Sequence, residues 1–247
     1  GTLSAEKRKH RGSVGSPQIG IVMGSDSDMG VMQSAADVLE DFGVAFEITV
    51  ASAHRSPQRA AAWAAGAPER GIKVIIAGAG HAAHLAGAMA AHTSLPIIGV
   101  PIDSSCLQGM DALLATVQMP PGIPVATMAI GKPGARNAGI LAVQILALAD
   151  ADLAEKLQEY KQDMAAKVEQ KARELQAAIL ALCDRHGEEI DSQKPEHEAT
   201  FIRLQNELAD NVEKLFVFVI HPQVEPTNNI SERHVRREAE IRKGGRT

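Results

Sequence analysis

The sequence predicts an α/β protein built on a doubly wound parallel sheet, and three observations predict this fold. Short apolar segments recur between residues 18 and 130. They show no clear alternation of polar and apolar residues, which is typical of strands that are buried on both faces. A turn containing glycine or serine and then a segment of helical character follow each of them, as in right-handed βαβ units. We therefore expect a parallel sheet with helices on both faces.

Composition sets limits on the kind of protein. Apolar residues make up 45% of the 247 residues and aromatic residues only 3%, so the core must consist mainly of Ala, Val, Ile and Leu. The net charge of −5 argues against general nucleic-acid affinity. Cys106 and Cys183 have no metal-type spacing, and they predict reduced thiols and a cytoplasmic location. No apolar run approaches the length of a membrane helix, so we expect no membrane partner.

Five strands are predicted in chain order. They are IGIVM (19–23), FEITV (46–50), KVIIAG (73–78), PIIGVP (96–101) and PVATMAI (124–130). The segment from Ala151 to about His186 is rich in Ala, Glu, Lys and Gln and lacks Gly and Pro, which predicts one long helix. Gly187 and Pro195 then indicate a linker, and residues 198–216 are again of helical character.

These patterns divide the chain into four predicted segments. Residues 1–17 are charged without an apolar stretch, which predicts a disordered arm and no secretory signal. Residues 18–165 form the predicted catalytic domain, and residues 166–186 extend its last helix. Residues 187–247 form an appended tail whose last part is basic.

Polar residues follow the first four strands, where a doubly wound sheet binds its ligands. The first such segment is GSDSD (24–28), and the fourth begins with DSS (103–105). GSDSD joins a strand to a helix N-terminus, so its amides and hydroxyls suit an anion. Alternatively, Ser27 or Asp28 simply caps the helix, which is worth about 1 kcal/mol. Both interpretations remain open from the residues alone.

The second and third segments carry histidines. His54 is adjacent to Arg55, and histidine serves as a general acid or base near neutral pH, whereas arginine binds carboxylate or phosphate. In GAGHAAH (78–84), we expect His81 and His84 to lie on one helix face. Two histidines without a third ligand are weak evidence for a metal, so ligand contact or capping is the preferred interpretation.

Other familiar sites are missing from the sequence. It contains no Walker loop, no GxGxxG motif and no Ser-His-Asp spacing typical of a hydrolase. The residues alone therefore predict a cofactor-free, metal-free enzyme that binds a small phosphorylated or carboxylated ligand.

Four motifs add a family resemblance. VMGSDSD, SAHRSP, IIAGAGHAAHLAG and LLATVQMPPGIPVATMAIG occur in this order, and from about Ile19 to about Ala165 the chain resembles the N5-carboxyaminoimidazole ribonucleotide mutases of purine biosynthesis. The resemblance implies a flavodoxin-like three-layer αβα sandwich with a five-stranded parallel sheet and a long C-terminal helix. It also implies a homo-octamer, a small ribonucleotide substrate and no cofactor.

The resemblance also implies a reaction. The carboxylate of N5-carboxyaminoimidazole ribonucleotide moves from an exocyclic nitrogen to a ring carbon, which gives 4-carboxy-5-aminoimidazole ribonucleotide. His54 matches the catalytic histidine, which protonates the carbamate nitrogen as carbon dioxide leaves and later removes the ring proton. A closed pocket would retain the carbon dioxide between these steps.

The family's substrate contacts correspond to seven residues of this sequence. They are Ser25, Asp28, Ser52, Arg55, Gly80, His84 and Leu85. The phosphate is expected among the loop amides, Ser25 and Arg55, and the ribose hydroxyls at Asp28. The chain departs from the family pattern at His81 and in Leu85-Ala86-Gly87, but neither departure removes one of these contacts.

Two alternative functions remain open. A sister class carboxylates aminoimidazole ribonucleotide with free carbon dioxide and tends to carry lysine after its catalytic histidine, so Arg55 favours the mutase. The tail resembles the C-terminal end of insertion-sequence transposases through TNNISER (227–233). No matching aspartate pair lies upstream, so transposase catalysis is not expected. Basic residues within 232–247 could still bind nucleic acid weakly through phosphate contacts.

Overall fold

A computed structural model describes residues 15–188 and 206–207, with side chains described to residue 181 and at 206–207. Contacts divide the chain into two compact units, residues 1–158 and 159–247. Residues 1–14 of the predicted arm (1–17), and the linker and tail from residue 189 apart from 206–207, lie outside the described residues. No described helix is both long and apolar enough to cross a membrane.

The described residues form a five-stranded parallel sheet with strand order β2-β1-β3-β4-β5. The strands are β1 (Ile19–Met23), β2 (Phe46–Val50), β3 (Val74–Gly80), β4 (Ile97–Ile102) and β5 (Ala126–Thr127). The chain starts in β1, moves to the edge strand β2, and then crosses back to β3. This reversal places a topological switch point between β1 and β3, so the predicted doubly wound sheet is confirmed.

In the described part of the chain, six α-helices connect or follow the strands. They are α1 (Met29–Phe42), α2 (Pro57–Ala65), α3 (Leu85–His92), α4 (Met110–Val117), α5 (Lys132–Ala147) and α6 (Ala151–Glu188). The predicted long helix from residue 151 to about 186 is thus confirmed, with an end two residues later. Asp150 caps its start, because its Oδ1 accepts from the Leu153 amide at 3.1 Å.

The helices cover both faces of the sheet. A side chain at Gly78 would collide with Met32 of α1, so this position faces α1. The preceding residue, Ala77, packs in one buried cluster with Ala60 of α2 and Met89 of α3. Because successive strand residues point to opposite faces, α1 lies on one face, and α2 and α3 lie on the other.

The core is aliphatic, as the composition predicts, but methionine also contributes. Ile21, Ile76 and Ile98 are completely buried in the central strands. Met23 and Met32 are equally buried, although the composition argument did not anticipate methionine in the core. The flexible methionine side chain fills irregular spaces between helix and sheet.

The structure corrects two strand predictions. The fifth strand was predicted over residues 124–130, but only Ala126–Thr127 pairs with β4. Pro101 of β4 has no amide hydrogen, which limits the ladder on this side. The second strand is not buried on both faces, because it lies at the edge of the sheet and Val50 is 37% exposed.

Candidate active site

A cavity of about 580 Å³ lies at the carboxyl ends of β1, β2 and β3. Three loops build it: residues 24–28 after β1, residues 51–56 after β2, and residues 81–84 after β3. All eight site residues predicted from the sequence line its wall: Ser25, Asp28, Ser52, His54, Arg55, Gly80, His84 and Leu85. The structure therefore brings together residues that are up to sixty positions apart in the chain.

The first loop is braced by a capping box. Ser25 caps the 3-10 turn Asp26–Asp28, and its Oγ accepts from the Ser27 amide at 3.4 Å. In return, Oδ2 of Asp28 accepts from the Ser25 amide at 3.2 Å. The alternative that Ser27 or Asp28 caps the helix is wrong, because Asp28 makes no side-chain cap bond to α1 and the capping residue of the loop is Ser25. The loop is thus rigid before any ligand binds.

Asp28 is a buried carboxylate at the wall of the cavity, with only 6% of its surface exposed. Burial raises its pKa above the ordinary value, because the ionised form loses solvent. The Ser25 amide and the positive charges of Arg55 and His81 oppose this shift. Oδ1 has no hydrogen-bond partner among the described residues, so it can accept from a ligand hydroxyl.

In the second loop, two serines, Ser52 and Ser56, flank His54 and Arg55 and stabilise the turn. The Ser52 amide donates to Ser56 Oγ at 3.1 Å, and that hydroxyl donates to the Ser52 carbonyl at 3.2 Å. Oγ of Ser52 accepts from the Arg55 amide at 3.1 Å. The serines therefore fix the turn that presents both functional side chains.

Arg55 joins the first two loops. Its Nη2 donates to the Gly24 carbonyl at 2.9 Å, across thirty-one residues of sequence. One of its five donors is used in this way, and the rest of the planar guanidinium remains available to an anion. This contact also holds the positive charge of Arg55 near Asp28, and that charge stabilises the ionised carboxylate.

His54 and His84 form a direct pair. Nε2 of His54 lies 2.9 Å from Nδ1 of His84, and the rings meet edge to face at a centroid distance of 5.0 Å. A hydrogen bond between two imidazole nitrogens holds one proton, so one nitrogen donates and the other accepts. The pair can therefore carry a proton at the cavity wall and pass it between the rings.

The expectation that His81 and His84 share one helix face is wrong. His84 is the residue before α3, whereas His81 lies in the preceding loop with a left-handed φ of 54°. His84 turns to His54, and Nδ1 of His81 lies 3.1 Å from Ser104 Oγ. Among the described residues, no group of three potential ligands could hold a metal ion.

The structure adds residues to the cavity that were not among the substrate contacts implied by the family resemblance. Ser27, His81 and Ser104 also line the cavity. Ser104 packs so closely on Gly80 that any side chain there would collide with its hydroxyl. Ser104 follows β4, and the rule that ligands bind beyond the strand ends was the available signal.

The similarity to known proteins lies in the same region of the chain, which contains the sheet and the cavity. The chain is 58% identical over 160 residues to a protein of Pyrococcus horikoshii named N5-carboxyaminoimidazole ribonucleotide mutase, covering 65% of this chain and 89% of that protein. The mutase of the same name from Bacillus subtilis is 57% identical over 147 residues, which are 60% of this chain and 91% of the relative. The phosphoribosylaminoimidazole carboxylase of Saccharomyces cerevisiae is 52% identical over 160 residues, but the match spans only 28% of that protein.

A solved structure agrees with the fold. The crystal structure of Treponema denticola PurE has a TM-score of 0.59 and 28% identity, and the match covers 64% of this chain and 98% of that one. The sequence profile of the AIR carboxylase family matches residues 18–167, which contain the sheet and the whole cavity. The chain belongs to the AIR carboxylase family.

Proposed function

We propose that the chain is an isomerase that converts N5-carboxyaminoimidazole ribonucleotide to 4-carboxy-5-aminoimidazole ribonucleotide. The observation that supports this proposal most directly is the hydrogen-bonded pair of His54 and His84 in a cavity that also contains Arg55 and Asp28. The relatives named as mutases are 53–58% identical and are covered over 86–92% of their length.

In the proposed reaction, His54 first donates one proton and later accepts another. It donates a proton to the carbamate nitrogen while the nitrogen–carbon bond breaks and carbon dioxide is released inside the cavity. The ring carbon then forms a bond with carbon dioxide, and His54 removes the proton that this carbon carried. Atoms and charge balance without a further reagent, and an imidazole is suited to both the acid and the base role.

The remaining predicted residues hold the substrate in this proposal. Ser25 and Arg55 bind the phosphate with hydroxyl and guanidinium donors, and Ser52 is a further substrate contact. Asp28 accepts from a ribose hydroxyl through Oδ1. Three residues contact the base and its carboxylate, namely Gly80 at the end of β3, His84 in the third loop and Leu85 in α3.

The carboxylase alternative has less support. In the yeast relatives named as carboxylases, the matching region makes up only 28% of the protein. In the relatives named as mutases, it makes up most of the protein. Arg55 stands where the sister class tends to have lysine. The nucleic-acid alternative concerns residues 232–247, which lie outside the described part of the chain and stay a prediction.

We also propose that the chain assembles as a homo-octamer. The apolar residues Met110, Leu114 and Val117 occupy one side of α4 and are 52%, 51% and 48% exposed. Leu107, which precedes this helix, is 60% exposed. A continuous apolar surface of this kind is typical of a protein–protein interface. The number of subunits rests on the family resemblance.

The test is a direct assay of the full chain. N5-carboxyaminoimidazole ribonucleotide is mixed with purified protein without bicarbonate, and the ring-carboxylated product is followed by absorbance. We expect isomerisation far above the uncatalysed rate. Product formed only from aminoimidazole ribonucleotide plus bicarbonate would assign the chain to the carboxylases. A shortened chain that ends at His186 shows whether the tail affects the rate.

A further inference from the structure

A second cavity of about 350 Å³ adjoins the candidate active site. The two cavities share Gly24, Ser25, Ser52 and Arg55 in their walls. The second cavity adds Arg59, which lies in the first turn of α2. Neither the family resemblance nor the comparisons give a role to this arginine.

The charges around the second cavity favour an anion. Nη2 of Arg59 makes only a long contact of 3.4 Å with Thr49 Oγ1. Within residues 15–181, the ion pairs join Arg70 to Glu47 and Arg173 to Glu169, so neither Arg55 nor Arg59 is paired with a carboxylate. Two guanidinium groups therefore face one small polar cavity.

The acid at this wall, Asp26, makes no ion pair with either arginine. Oδ1 of Asp26 accepts from Ser25 Oγ at 3.2 Å and from the Ser27 amide at 3.1 Å. Its carboxylate is thus used inside its own loop. Hydroxyl groups of Ser25, Ser52 and Ser56 supply further polar atoms around the cavity.

We infer that Arg59 is a second phosphate-binding residue, which holds the phosphate of the ribonucleotide in the second cavity together with Arg55. The inference rests on the proposed function for the identity of the ligand. A phosphate dianion offers several acceptor oxygens, and arginine binds such groups through paired, charge-assisted hydrogen bonds. Placing the phosphate there leaves the larger cavity, with Asp28 and His54, for the ribose and the imidazole.

The test compares Arg59→Gln with Arg173→Gln, which removes a matched surface arginine on α6. We expect Arg59→Gln to raise KM about tenfold or more, because a charge-assisted hydrogen bond is lost, while kcat stays within about twofold. Inhibition by inorganic phosphate and by ribose 5-phosphate should weaken by a similar factor. Arg59→Lys should recover part of the loss, and Arg173→Gln should resemble the wild type.

Phosphate binding, measured by calorimetry, separates this inference from the proposed function. If the wild type binds phosphate and Arg59→Gln binds it at least about tenfold more weakly, the inference stands even where no isomerase activity is found. Unchanged KM and unchanged phosphate affinity in Arg59→Gln would overturn it. A loss confined to kcat would also overturn it, because a phosphate contact far from the reacting atoms acts on binding.

Discussion

At the scale of single residues, the cavity depends on hydrogen bonds that fix side chains before any ligand arrives. The serine-rich turn around His54 uses its own hydroxyls to brace the backbone. Arg55 is held by the Gly24 carbonyl, and His54 by His84. Binding therefore requires little ordering of these groups, which lowers the entropic cost of forming the complex.

The first prediction concerns His54. His54→Asn keeps a polar side chain but removes the imidazole that donates and accepts protons in the proposed reaction, so we expect kcat to fall by about 10²–10⁴-fold. The dissociation constant of the substrate should change by only a few fold, because the phosphate and ribose contacts persist. Rapid-mixing kinetics and calorimetry measure the two effects, and His92→Asn, an exposed histidine at the end of α3, is the control. Near-normal turnover in His54→Asn would contradict the proposed role.

The second prediction concerns Asp28 and the pH dependence of stability. Burial raises the pKa of this carboxyl in the folded state, so its contribution to stability is present below the ordinary value of 3.8 and is lost as pH rises through the raised pKa. The Asp28→Asn side chain does not ionise, so the variant avoids this loss of stability. Its side-chain oxygen can still accept the hydrogen bond from the Ser25 amide. We therefore expect the variant to gain stability relative to the wild type as pH rises, measured by denaturant unfolding.

Asp111 supplies the matched comparison, with the opposite sign. The Ser105 hydroxyl donates to its carboxylate at 2.9 Å and lowers its pKa. Its stabilising effect is present at neutral pH and is lost as pH falls through the lowered pKa. Asp111→Asn should therefore be less stable than the wild type near neutral pH, and the difference should shrink in acid. If Asp28→Asn behaved in the same way, burial would not be the largest influence on the pKa of Asp28.

At the scale of elements, the sequence predicted the position of each strand and the polar loops at the strand ends. Apolar runs and turn residues are local signals, and they were sufficient for β1 and β2 and for the start of α6. The length of β5 was not predictable, because it depends on Pro101 in the neighbouring strand. The conformation of His81 was also missed, since its left-handed backbone accompanies a contact with Ser104 from another loop.

The third prediction tests how closely two helices pack. A side chain at Gly139 of α5 would lie 2.9 Å from the Ala35 carbonyl oxygen and 2.9 Å from Val38 Cβ of α1. Both are tighter than normal contacts and one involves backbone, so α1 must shift. We expect Gly139→Ala to lower the free energy of unfolding by about 1–3 kcal/mol, as measured by denaturant titration.

Gly30 of α1 is the control for this prediction. A side chain at Gly30 would have no neighbour within 4 Å. Gly30→Ala should therefore leave stability unchanged or raise it by up to about 1 kcal/mol, through helix propensity. Equal effects of the two substitutions would show that propensity, and not the contact between α1 and α5, decides the outcome at Gly139.

At the scale of the whole molecule, the single chain leaves its candidate active site open. His54, Arg55 and His84 are all exposed in the described chain, whereas the proposed reaction needs carbon dioxide to be retained. In the proposed reaction the substrate itself would cover part of the cavity, and in the proposed assembly a neighbouring subunit would cover more of it. The sequence alone could not predict which surface forms such a contact, because only the structure shows that Met110, Leu114 and Val117 are exposed together on one side of α4.

The fourth prediction tests this surface of α4. Leu114→Glu places a charge in the centre of the exposed apolar side, where an interface would bury it at a high cost. We expect the wild-type protein to have a mass several times that of the 26.2 kDa chain and the variant to dissociate into smaller species, as measured by light scattering. Leu148→Glu is the control, because Leu148 is 88% exposed and lies outside α4. It should leave the mass unchanged. If Leu114→Glu also kept the mass of the wild type, α4 would not be the assembly surface. A third outcome is that Leu114→Glu dissociates and loses activity but keeps its helical circular dichroism. This outcome would show that the open cavity of the single chain needs assembly in order to function.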